Sequence, residues 1–275
     1  MAITGSAVYL STFLLEKNRW NGKGPSLLVS DWMEEAGEAG YAGLEIWMNH
    51  LHFSSRDEWE LIKERSAESD LPISLISATL PVDASDKSQR YRESIIEACD
   101  YFRPDSFKFG FGEAKGGGLD SLEFAKEWCR DVPREIGMLF DPGHGGDSVD
   151  AETFNAARLA LTGGRFKAVL HPFLYLSGEL AGVLKSSGDF VANLGVQAKR
   201  EGKWILLEED AEDNLKVIAG ARESGFKGSW SLELSKGADL PKLDIEGLFD
   251  HAEKDLNFLV EAQTRSALAK SPKRK

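Results

Sequence analysis

The sequence has little cysteine: two residues, Cys99 and Cys129, in 275. Two cysteines in a chain this long exclude a disulfide framework, and no C-x-x-C pair offers a structural metal or redox site. Each falls in a segment that reads as an amphipathic helix, so both are expected as reduced, buried thiols. Histidine is also scarce, with five residues. That counts against a phosphodiesterase site built on several metals and many histidine ligands. No apolar run approaches a membrane span. No G-x-G-x-x-G follows the first apolar run, and the glycine run beginning at Lys115 lacks the Walker spacing, so it reads as a flexible loop. Basic residues are outnumbered, 33 Lys and Arg against 45 Asp and Glu, for a formal charge of -12. A dominant basic face is thereby missing, which disfavours nucleic acid and anionic lipid as partners. The segment Ala7 to Leu15 has no basic residue before it and no A-x-A site after it, so it reads as a strand and not a signal peptide. A cytoplasmic location is the expectation that follows. The basic, proline-interrupted stretch 263–275 is set apart as a flexible tail after a single domain over 1–262.

What is present is alternation. Short apolar runs occupy Ala7–Leu15, Gly43–Met48, Pro72–Leu80, Ser106–Phe111, Ile136–Phe140, Phe166–Leu170, Trp204–Leu207 and Ser229–Leu234. Several are apolar on nearly every residue, as in parallel strands covered by helices on the outside. Between them lie segments with helical spacing: Ser26–Glu38, Arg56–Ser69, Ser88–Phe102, Asp120–Cys129, Ala151–Leu161, Asp213–Glu223 and Asp244–Leu259. Strand–helix alternation with short connections predicts right-handed βαβ units. Eight candidate strands predict closure into an α/β (β/α)8 TIM barrel, with an open doubly wound sheet as the competing arrangement. The irregular stretch Pro172–Asp189 is too long for an idle connection and follows a strand end, where it would cover a site.

Residues with chemical potential gather at the strand ends, where barrel enzymes place their active sites. Asp141-Pro142-Gly143-His144 follows the strand 136–140. The Pro-Gly pair dictates a turn, and Asp141 as a turn or helix-capping residue explains half of this motif. His171 closes the next strand, either facing the mouth or packed beneath it. Glu233 ends the last strand, and Glu45 lies in the second. A carboxylate in such apolar company needs a metal, a cation or a hydrogen-bond cage. One Asp, one or two His and two Glu form a hard to borderline ligand set suited to Mn²⁺, Mg²⁺, Co²⁺ or Zn²⁺. Trp47, Trp204 and Trp230 offer either sugar-stacking faces or ordinary packing.

The order of these motifs resembles the xylose-isomerase-like barrel superfamily. The resemblance runs over Gly40-Tyr41-Ala42-Gly43-Leu44-Glu45-Ile46, then Phe140-Asp141-Pro142-Gly143-His144 with Val169-Leu170-His171, then Gly225 to Glu233. It implies Asp141, His171 and Glu233 as metal ligands and His144 as a neighbour of the ligands or a substrate contact. It departs from the family where a strand ending in a ligand Glu is expected before Asp141. Residues 120–135 there suffice for only one helix, so one shortened or degenerate βα unit is expected. Glu113 would then supply the fourth ligand.

The activity implied is that of a divalent-metal-dependent isomerase or epimerase on a small sugar or polyol, through an enediolate-type intermediate. Glu45 and Glu208 are the candidate bases. A lyase or dehydratase on a keto-sugar or inosose is the alternative, as is a non-catalytic binding protein on the same fold. The partner expected is a small carbohydrate, with no nucleic acid and no membrane. A homo-oligomer is left open.

Overall fold

The computed structural model describes residues 6–19, 24–111, 121–143, 151–161, 165–174, 177–240 and 242–268. Eight parallel strands close into a barrel in the order β1, β10, β7, β6, β5, β4, β3, β2. They are β1 Val8–Ser11, β2 Gly43–Trp47, β3 Ile73–Thr79, β4 Ser106–Gly110, β5 Gly137–Phe140, β6 Phe166–Leu170, β7 Val191–Val196 and β10 Ser229–Leu232. β8 Lys199–Arg200 and β9 Lys203–Trp204 form a separate antiparallel hairpin. Glu201 and Gly202, both at positive φ, make its turn.

The main helices follow the helical spacing. They are α2 Met33–Ala39, α4 Arg56–Glu68, α5 Asp86–Phe102, α6 Leu122–Trp128, α7 Ala151–Ala160, α9 Ala211–Glu223 and α10 Ile245–Leu268. Ser55 and Ser85 cap α4 and α5 by accepting from Glu58 N–H and Ser88 N–H, which satisfies one free donor at each helix start. α1 Thr12–Leu15 and α3 Met48–His52 are short turns directly after β1 and β2.

The unit before Asp141 is short but present, with α6 of seven residues between β4 and β5, and β7 at 191–196 completes the barrel. Two expectations are corrected. The run 204–207 is no barrel strand; it belongs to the hairpin and the 3₁₀ turn Leu207–Asp210. The stretch 172–189 is largely α8, Ser177–Ser187, and its Leu180 and Leu184 pack into the core.

Each strand alternates between two environments. On β4, Phe107 and Phe109 point outward into the layer between sheet and helices, while Lys108 points into the barrel. Phe107 meets Trp128 of α6, and Phe109 meets Phe140 and Phe166. Inside, Leu75, Leu139 and Val169 form a small apolar cluster packed by Tyr9. A polar layer caps it toward the carboxyl ends. The register brings the layer together, with Ser11 beside Glu45 and Ser77 beside Lys108.

Candidate functional site

Four neighbouring strands, β5, β6, β7 and β10, each present the first residue after the strand to the barrel mouth: Asp141, His171, Gln197 and Glu233. All four are buried, Glu233 being the most open at 9% exposure. Ligand atoms of Asp141, His171 and Glu233 lie within 4.8 Å of one another. His171 Nε2 is 2.9 Å from Asp141 Oδ1, and its Nδ1 is 2.5 Å from the Gln197 amide. The Gly143 N–H donates to Asp141 Oδ1 at 3.0 Å, so the turn expected at Pro-Gly aims the carboxylate inward.

Gly195 on β7 makes room for this packing. A Cβ at that position would lie 2.3 Å from Glu233 Oε1 and 2.5 Å from His171 Nδ1. Any side chain there would displace both groups.

Lys108 joins the cluster from below. Its Nζ is 2.6 Å from Glu45 Oε1 and 2.9 Å from Glu233 Oε1. Burial alone would push this amine toward neutrality, but the charges of Glu233, Glu45 and Asp141 outweigh it and raise its pKa. Lys108 is therefore a fixed ammonium at neutral pH and cannot serve as an imine-forming nucleophile. For His171, burial is likewise overcome by Asp141 and Glu233, and the imidazole is pushed up to about 8. Burial raises the Glu233 carboxyl against the pull of Lys108 and His171.

The residues fit a divalent ion. Two carboxylates and an imidazole converge, which is a donor set of the right hardness. Formally, three carboxylates face one ammonium, leaving two negative charges when His171 is neutral. Glu45 Oε2 and Gln197 Oε1 are buried acceptors with no hydrogen-bond partner among the described residues. Surplus acceptors and surplus negative charge both call for a cation.

The other sequence candidates fall elsewhere. Glu208 is exposed on the 3₁₀ turn after the hairpin, apart from the groups that converge here. His144 and Glu113 lie outside the described residues, as does the glycine run at Lys115. Trp204 and Trp230 are packing residues: Trp204 lies under the Lys199 ammonium, and Trp230 meets Phe226 and Phe173. Trp47 is half-buried at the end of β2, edge-on to Phe13 and His50. Its backbone N–H donates to Thr12 Oγ1, which also lies 2.7 Å from His50 Nδ1, and His50 Nε2 is 2.9 Å from Glu16 Oε2. This buried chain pins the ends of β1 and β2 together.

Neither Lys108 nor Gln197 is among the sequence candidates, yet both have a readable signal. A lysine between two phenylalanines in a buried strand must point to a polar interior, and Asn193, Gly195 and Gln197 recur with the period of a strand.

No family model matches the chain, and no curated protein matches it. Solved structures share its fold. A xylose isomerase-like TIM barrel protein from Mycobacterium smegmatis, in complex with magnesium, is 14% identical with a TM-score of 0.65, over 96% of this chain and 98% of that one. A D-psicose 3-epimerase from Clostridium cellulolyticum, with D-tagatose, is 11% identical with a TM-score of 0.64, over 95% and 98%. The probable 3-DHS dehydratase AsbF from Bacillus anthracis is 14% identical with a TM-score of 0.62, over 89% and 97%.

Proposed function

We propose that the chain is a sugar isomerase or epimerase that works at the barrel mouth on a small keto-sugar. The observation that carries this reading is the convergence of Asp141, His171 and Glu233 beside the paired Glu45 and Lys108. The magnesium complex and the epimerase among the structures of the same fold support it. Asp141, His171 and Glu233 would hold a divalent ion, which would polarise a substrate carbonyl and acidify the adjacent C–H.

The chain's own residues do the rest. Glu45 is the base. Its Oε1 is held by Lys108, and its Oε2 has no partner among the described residues and is left to accept a proton. Returning that proton on the same face to the neighbouring carbon gives an isomer; an epimer needs the proton delivered to the opposite face of the original carbon by a second donor. Glu208, exposed on its turn, is the weaker candidate for this role. Ser11 Oγ donates to Glu45 Oε1 at 3.4 Å and helps fix the carboxylate plane. Gln197 holds the His171 ring from the side away from Asp141.

The test is an assay of purified protein with Mn²⁺ across keto-sugars, inososes and abasic DNA. Turnover of a ketose, lost in Glu233→Gln, is the expected result. Dehydration of an inosose would move the reading to a lyase. Cleavage of abasic DNA abolished by the same substitution would overturn it.

A further inference from the structure

Glu233 faces two ways. Its Oε1 takes the Lys108 ammonium at 2.9 Å, while its Oε2 turns toward His171, 3.8 Å from Nδ1. On the far side of Lys108, Glu45 Oε1 is 2.6 Å from the same nitrogen, and Glu45 Oε2 is buried without a partner among the described residues. A carboxylate that bridges two cation positions is the layout of a two-metal site, in which ions sit about 3.5–4 Å apart. Here one of the two positions already contains a cation that belongs to the chain.

We propose that Lys108 is the built-in second cation of a carboxylate-bridged centre, filling a position between Glu45 and Glu233 that would otherwise take a divalent ion. The charge count agrees. With His171 neutral, as a metal ligand must be, Glu45, Asp141 and Glu233 carry three formal negative charges, and the ammonium reduces these to two, matching one divalent ion. Without Lys108 three negative charges and the freed oxygens of Glu45 and Glu233 face the vacated position, so a second divalent ion would leave one net positive charge. The lysine also cannot leave. Its Cα lies in the middle of β4, in register with Ser77 on one side and Leu139 on the other, and the residue is 3% exposed. A chelator removes an ion but not this ammonium, so the Glu45–Glu233 half of the centre keeps its shape through loss of metal. Lys108 is thus a positioning residue for both carboxylates. The number of ions in the native protein rests on the reading of Asp141, His171 and Glu233 given above; the filling of the second position by Lys108 does not.

The experiment is a Mn²⁺ titration of the full chain after chelation, with free ion followed by electron paramagnetic resonance and folding by circular dichroism. The native protein is expected to bind one equivalent, Lys108→Met two, and Lys108→Met with Glu45→Gln one. A second equivalent in the native protein, or no gain in Lys108→Met, overturns the proposal. A native protein that binds none while Lys108→Met binds one would remove the Asp141–His171–Glu233 metal reading and leave the role of Lys108 standing. If chelated Lys108→Met is unfolded, Mn²⁺ is expected to restore its fold. A chain that stays unfolded in saturating Mn²⁺ overturns the proposal as well, because an ion then does not replace the ammonium.

Discussion

At the scale of the residue, the site depends on one atom that is missing. Gly195→Ala places a methyl group where Glu233 and His171 now pack over the β7 backbone. The expected result is Mn²⁺ binding weaker by at least about tenfold, equivalent to about 1.4 kcal/mol, with the circular dichroism spectrum unchanged. Equal affinity in the variant would mean that the two ligands have slack the structure does not show. A second buried acid lies away from the mouth. Asp255 of α10 accepts from Leu207 N–H at 2.7 Å and from Ser235 Oγ at 2.6 Å. Burial, reinforced by the charges of Glu208 and Glu209, pushes it up to about 7 despite those donors. The folded state therefore holds a proton that the unfolded chain gives up near pH 3.8. Stability from this group is lost as pH rises from about 4 to about 7 and is flat beyond. Asp255→Asn keeps an oxygen for Leu207 and an amide donor for Ser235. It is expected to raise the melting temperature relative to the native chain at pH 8, with the difference shrinking toward pH 5. A constant difference across that range would disprove the assignment.

At the scale of the element, β4 separates stability from chemistry by the side each residue faces. Phe109 is fully buried against Phe107, Phe111, Phe140 and Phe166. Phe109→Ala is expected to cost about 3–5 kcal/mol, the range for deleting a buried ring, in a urea unfolding series. Because the ring faces the helices, the surviving folded protein should bind Mn²⁺ as the native chain does. Lys108→Met should do the reverse in kind, changing the ion count through the inward face. Loss of the native ion in folded Phe109→Ala would show that the two faces are coupled. The strand thus carries the aromatic layer and the ammonium on alternate residues, and the period of two allows this.

At the scale of the whole molecule, the charge of -12 sets what can approach the mouth. Acidic groups repel a polyanion at long range, and salt weakens that repulsion over about 10 Å at 0.1 M. A small neutral or singly charged sugar feels little of it. Ketose turnover is therefore expected to be unaffected by heparin or duplex DNA at low ionic strength. Inhibition by either polymer that disappears on adding salt would reveal a basic approach path and count against a small-sugar substrate. Among the described residues, no helix is long and apolar enough to cross a membrane.

Alternation of apolar runs with helical stripes pointed to a parallel α/β fold and marked seven of the eight barrel strands, while closure was settled by β7. Asp141, His171 and Glu233 were readable because each directly follows an apolar run. These are local properties: apolar periodicity states which element forms, and a strand's last residue states which end it occupies. β7 escaped because its inward positions are Asn193, Gly195 and Gln197, which break the apolar run that marks a two-sided buried strand. α8 escaped because the stretch around it reads as loop, and only packing of Leu180 and Leu184 on the barrel settles its state. The meeting of Lys108 with Glu233 joins residues 125 positions apart. No spacing rule connects them. Barrel closure sets the order of the strands, the register sets their height, and together these decide which charges face each other in the low-dielectric interior, where an unpaired charge is too costly to leave alone.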